Sequence, residues 1–154
     1  MKISYNWLIE LTGLDWPVDQ VAERLTLCGD SVEEIESTSE HLDKVIVGEV
    51  SSLEPVPKAD KIQLARVSTG ADEFQVICGA PNVAEGQKVA FARIGACLKG
   101  GFQIKKAKIR GVQSFGMICS QRELGISDDH SGIWVLPSAA PVGTPLAESL
   151  DYDD

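Results

Sequence analysis

The chain has 154 residues, 44% of them hydrophobic and 24% charged. That is enough apolar material for one packed domain, or one domain with a small partner, and it excludes a disordered type. The formal net charge is -9, which taken alone argues against a general nucleic-acid binder, because phosphate binding rests on clustered Lys and Arg.

The first predicted element is a helix. Ser4 is placed to cap it, Ile3 and Leu8 to staple it, and Trp7, Leu8 and Leu11 share one face before Gly13 ends it. Met1-Lys2-Ile3-Ser4 leads straight into this pattern without a long apolar run, and no later stretch approaches a membrane span, so a cytoplasmic protein is expected. Val18, Val21, Ala22 and Leu25 predict a second short helix, with Asp15 as its cap, Pro17 in its first turn and Gly29 as its stop. Asp30 to Asp43 is an acidic strand or loop anchored by Val32 and Ile35. Trp7 and Trp16 are expected to pack this helical unit onto the strand-rich remainder of the chain, and Trp134 to fill the later core or the seam.

From Lys44 the period changes to that of strands. Val45 to Val50 is β-branched, with Gly48 placed for a bend or bulge, and Pro55 and Pro57 end it. Ile62 to Val67 alternates, Ser68 to Asp72 turns, and Phe74, Val76 and Cys78 share one face of the next strand. Lys88 to Ile94 sets Val89 and Phe91 against Ala90, Ala92 and Ile94. Gly100-Gly101 breaks the chain before Phe102 to Ile109, where Ile104 and Ile109 fall on opposite parities and predict a bulge or bend near Lys105-Lys106. Met117 to Cys119 and Ile133 to Leu136 are further short strands, and Leu146 to Leu150 a last helical turn. Five or more short strands with Gly bends predict a small barrel or sandwich. The bent first strand favours a five-stranded OB barrel, with an SH3-like barrel as the alternative.

The charge is unevenly spread. Residues 1–43 carry ten acids and two bases, whereas residues 86–122 carry eight bases and no acid. These eight are Lys88, Arg93, Lys99, Lys105, Lys106, Lys108, Arg110 and Arg122. Lined up on one exposed wall they would track a phosphate backbone, and Phe102 and Phe115 are nearby rings for bases, although at least one of the two is expected in the core. The alternative for the lysines is protection of a strand edge.

Catalytic and metal chemistry find little support. Gly95 to Gly101 has no phosphate-loop spacing. Asp128-Asp129-His130-Ser131 lacks a third ligand and reads as a solvated turn, and Ser114, Ser120 and Ser131 have no nucleophile-elbow setting. Cys28, Cys78, Cys97 and Cys119 have no CxxC or zinc spacing with His41 or His130, and are expected as small buried thiols of a reducing compartment.

Asp60-Lys61-Ile62, Val76-Ile77-Cys78-Gly79-Ala80-Pro81-Asn82, Lys108-Ile109-Arg110-Gly111, Ser114-Phe115-Gly116-Met117 and Glu123-Leu124-Gly125 occur in that order. The series resembles the tRNA-binding domain shared by phenylalanyl-tRNA synthetase β subunits, appendages of some methionyl- and tyrosyl-tRNA synthetases, and stand-alone tRNA-binding proteins. The flanks, Met1 to Leu8 and Leu124 to Ile133, resemble the bacterial β subunit. One departure is Val56, where the family often has a His before the Pro57-Lys58-Ala59-Asp60-Lys61 turn.

This resemblance implies a mainly β protein with flanking helices, its OB barrel inserted in or attached to a small α/β N-terminal domain. Residues 1–41 would be the helical part of that split domain, 42–150 the tRNA-binding domain, and 151–154 the start of a truncated return. The RNA-facing candidates are Lys61, Asn82, Arg93, Lys99, Lys105, Lys106, Lys108, Arg110, Ser114 and Arg122. No catalytic residue, metal or cofactor is expected in this chain. The implied parent charges tRNA with phenylalanine using ATP and Mg²⁺, as an α2β2 assembly whose α subunit holds the catalytic centre. The competing reading is a scaffold domain between subunits or domains with little RNA affinity of its own.

Overall fold

The computed structural model describes residues 1–37 and 42–150. His41, the expected boundary at residue 41 and the return from residue 151 lie outside the described residues. Two compact units are present, one before and one after this gap.

The first unit holds α1 (Tyr5–Thr12) and α2 (Val18–Leu27). The Ser4 hydroxyl accepts the Trp7 N–H at 3.1 Å, and Gly13, at φ 66°, closes the other end by donating to the Ile9 carbonyl at 2.8 Å. The expected Asp15 cap is not formed. Pro17 occupies that position, and its carbonyl accepts the N–H groups of Gln20 and Val21 at 3.0 and 3.1 Å. With φ fixed and no N–H of its own, proline starts the helix without a side-chain cap. Trp7 and Trp16 are exposed, and of α2 only Val21 is buried.

The second unit is a nearly closed barrel of the OB type. Its strands are β1 (Val45–Pro55), β2 (Gln63–Ser68), β3 (Glu73–Cys78), β4 (Lys88–Arg93), β5 (Cys97–Leu98), β6 (Phe102–Gln103), β7 (Ala107–Ile109), β8 (Val112–Ser114), β9 (Gly116–Ile118) and β10 (Val135–Leu136), followed by α3 (Leu146–Leu150). The main sheet runs β10-β4-β1-β2-β3, with β9 pairing along the other half of β4. The free edge of β3 meets the β8–β9 corner. There the Phe115 N–H donates to the Gln75 carbonyl at 2.8 Å and the Ser114 hydroxyl accepts the Ile77 N–H at 3.1 Å.

Alternation along β1 and β4 divides the apolar residues between two clusters. Ile46, Val50, Val89 and Phe91 point into the barrel with Ala65, Val67, Val76 and Ile118. Val45, Val47, Ala90 and Ala92 point outward and are covered by Leu98, Ile104, Leu124, Leu136 and Leu146. Buried on both faces, these strands read as continuous apolar runs. Each large side chain so buried contributes roughly 1.5–3 kcal/mol before the entropy of ordering is subtracted. Trp134 packs half-buried against the outer cluster.

Two expectations are corrected, for Gly48 and for the cysteines. Gly48 is not the bulge; register shifts between Val50 and Ser52 instead. Gly48 supplies room, since a Cβ there would collide with Val67 Cγ1 and stand 3.2 Å from Phe91 Cβ. The run from Phe102 to Ile109 does bend where its change of parity predicts, between β6 and β7, because Ile104 turns into the outer cluster and exchanges backbone bonds of 2.8 Å with Gly95 and Ala96. Only Cys78 and Cys119 are buried thiols; Cys28 and Cys97 are exposed.

Candidate nucleic-acid interface

The chain between β4 and β9 forms two small hairpins, β5–β6 and β7–β8. In the second, Ile109 pairs with Val112 across the two-residue loop Arg110-Gly111. Both loop residues have positive φ, 54° and 82°, the type I′ geometry whose twist matches the strands it joins. Residues opposite each other share a face. Ser114 is buried, with its hydroxyl donating to the Gly116 carbonyl at 3.1 Å, so its end of the hairpin is set against the barrel. Lys108 and Gln113 pair on the other side and are exposed. Lys106 continues that outer row, its ammonium 5.0 Å from the centre of the Phe115 ring.

Arg93, Lys105, Lys106, Lys108 and Arg110 are all exposed, and none has a carboxylate partner among the described residues. Arg93 ends β4 beside Gly116 and donates its N–H to the Lys44 carbonyl at 3.0 Å. Gly95, two residues on, binds the Ile104 carbonyl, which draws Lys105 to the same corner. Lys44 therefore joins this group. It lies outside the acid-free window, and only the pairing of Val45 with Ala92 brings it there.

The window does not form a single wall. Lys88 is half-buried and paired with Glu49 across β1 and β4 at 2.9 Å. The exposed Lys99 and Arg122 lie on another part of the chain's course, their backbone N–H groups bonded to the carbonyls of Glu123 and Asp129. There Glu123 accepts from the Ser120 N–H and hydroxyl at 2.6 and 2.9 Å. Asp129 is held by the Ser131 N–H and hydroxyl, which push its carboxyl below the usual range. This is turn chemistry, and among the described residues no group of three His, Cys, Asp or Glu is placed to hold a metal ion.

The remaining candidates separate in the same way. Lys61 is exposed in the turn between β1 and β2. The Asn82 amide is used within the fold, on both backbone groups of Ile133. Ser114 is likewise committed between Ile77 and Gly116. Neither nearby ring is a core residue, contrary to expectation: Phe102 is 60% exposed and Phe115 half-buried, while Phe91 fills the barrel with Phe74 packed on it at 5.4 Å. Val56, at the position of the family's His, is buried and anchors its turn. No helix among the described residues is long and apolar enough to cross a membrane.

A family model described as "Putative tRNA binding domain" matches residues 45–145. The phenylalanine–tRNA ligase β subunit of Hahella chejuensis is 46% identical over the whole chain, which covers 20% of that protein. The β subunit of Anaeromyxobacter dehalogenans is also 46% identical, with 19% of its length covered. The chain thus spans about a fifth of the curated relatives it matches. Among solved structures, a MetRS-related protein from Pyrococcus horikoshii superposes with a TM-score of 0.53 at 22% identity, over 73% of this chain and 98% of that one, a likeness of fold.

Proposed function

The chain belongs to the tRNA-binding domain family through residues 45–145, and from that premise we propose that it serves as the tRNA-binding module of a phenylalanine–tRNA ligase β subunit. One observation carries the reading. The insertion between β4 and β9 presents Lys105, Lys106, Lys108 and Arg110 to solvent without carboxylate partners among the described residues. In OB barrels the loop between the fourth and fifth strands, the loop between the first two, and the face of strands two and three are where oligonucleotides dock. Lys61 lies in the second of these regions. Desolvating a phosphate beside unpaired cations meets no competing salt bridge, and counterion release adds to the attraction.

In this proposal the chain binds and positions, and the bond-making steps that need ATP and Mg²⁺ belong to other parts of a cytoplasmic α2β2 synthetase. Residues 1–41 are one piece of a small domain, residues 42–150 are inserted into it, and the chain returns to it from residue 151. The competing scaffold reading draws on the net charge of -9 and on the internal use of Asn82 and Ser114.

Titration of tRNA against the chain by fluorescence polarisation tests the proposal. Affinity should fall steeply with salt, and Lys105→Glu with Lys106→Glu should weaken it further. Binding indifferent to both salt and those charges rejects it. Deleting residues 44–137 from a full-length subunit separates the scaffold reading. Intact assembly with weakened tRNA affinity counts against a scaffold, and lost assembly supports one.

A further inference from the structure

Beside the β7–β8 hairpin, residues of β2, β3 and the β8–β9 corner form a cleft of about 310 Å³ lined by Arg66, Glu73, Phe74, Gln75 and Phe115. That is the lower end of the size range of small-molecule sites, about 300–1,000 Å³. Resting on the tRNA-binding reading, we propose that this cleft receives one unpaired RNA base stacked on Phe115, while the neighbouring phosphates run along Lys106, Lys108 and Arg110.

Charge sets the polarity of the bound nucleotide. Glu73 sits at the cleft, 3.5 Å from Arg66 and accepting the Ser51 hydroxyl at 3.0 Å. Paired with each other, Arg66 and Glu73 leave the cleft without net charge, so it takes the uncharged end of a nucleotide. The hairpin next to it has the opposite character, with exposed cations and no carboxylate partner among the described residues. Base inward and phosphate outward is the orientation that satisfies both.

The lining suits a base. Phe115 belongs to neither apolar cluster. It lines the cleft and carries the Lys106 ammonium 5.0 Å from its ring centre, so ring and cation together form a stacking platform with a positive rim. Gln75 donates Nε2 to the Gln113 carbonyl at 2.8 Å, which ties the cleft wall to the hairpin. Arg66 supplies donors and Glu73 acceptors for the edge of a base. A base in a duplex offers neither a free face nor a free edge, and the A-form major groove is too narrow to admit side chains. Unpaired loop nucleotides are therefore the class of ligand.

The hairpin loop points the same way. A type I′ turn favours Asn or Gly at its first position, yet Arg110 occupies it at φ 54°. A guanidinium kept where the backbone disfavours it is the kind of local conflict found where a side chain is used.

The test is anisotropy titration of the whole chain with three RNAs: tRNA, a short unstructured strand, and a blunt duplex of equal length. The strand and tRNA should bind, with the duplex about tenfold weaker. Phe115→Ala should weaken strand and tRNA by about tenfold, the order of one base stack, with the salt dependence unchanged. Phe115→Tyr should restore binding. Lys106→Gln with Lys108→Gln should reduce the salt slope by about 1.4, at about 0.7 per phosphate contact. Wild-type affinity in a folded Phe115→Ala chain, or a duplex bound as tightly as the strand, overturns the cleft while leaving tRNA binding intact. If the wild-type chain fails to bind tRNA at low salt, the family-based reading and the cleft fall together.

Discussion

The side chain of Asn82 grips the backbone of Ile133 from both ends, Nδ2 donating to its carbonyl at 2.9 Å and Oδ1 accepting its N–H at 3.0 Å. The contact spans 51 residues of sequence and fastens the approach to β10. Asn82→Ala removes both bonds and leaves a backbone pair to be satisfied by water, so a loss of about 2 kcal/mol is expected. Urea unfolding followed by circular dichroism measures it. Any tRNA affinity of the folded variant should stay at the wild-type value, which distinguishes an internal clasp from an RNA contact.

Gly48 gives a second stability prediction. A methyl group would enter the space held by Val67 and Phe91, in the fully buried barrel interior. Gly48→Ala should destabilise by about 1–3 kcal/mol through overpacking. Thermal unfolding reads the shift, and a wild-type midpoint would show that β1 relaxes outward without cost.

Arg110 should respond in opposite senses in two assays. Arg110→Gly relieves the positive φ of a non-glycine residue, worth up to about 1 kcal/mol of stability. It also deletes one exposed cation of the proposed interface. A higher urea midpoint together with weaker, less salt-dependent tRNA binding is the expected pair of results.

The four thiols should divide into two classes. Cys28 and Cys97 are exposed and Cys78 and Cys119 buried, so a disulfide reagent should label two quickly and two only on unfolding. Burial raises the pKa of both interior thiols above the ordinary 9.0. The unfolded chain therefore ionises these thiols first as pH rises. Their contribution to stability is complete below pH 9 and is lost progressively above it. Urea midpoints measured between pH 8 and 10.5 should fall, and Cys119→Ala should flatten that fall.

Local signals were the legible part of the sequence. Ser4 and Gly13 announce α1 because a cap and an αL stop are decided within one turn of chain. The alternation of Val89 to Ala92 announces a strand, and its double burial follows from apolar residues at both parities. What escaped the sequence depends on register between distant segments. Lys44 and Arg66 join cationic or cleft-lining groups only through strand pairing. Lys88 looks like any other window lysine until pairing sets it against Glu49. Ser114 stands in a recognisable motif, but β8 is only three residues long, too short for periodicity to reveal which way its hydroxyl points. A glycine is the natural place to expect the bulge, whereas the chain bends at Ser51, whose hydroxyl reaches the Arg66 carbonyl at 3.1 Å.

Because β4 contributes Val89 and Phe91 to one apolar cluster and Ala90 and Ala92 to the other, neither cluster can dissolve while its neighbour stays ordered. The barrel and its outer cover are thereby joined into a single cooperative melting unit. Amide protons along this strand should exchange only through global opening, and they should do so together with those of Val45 to Val47.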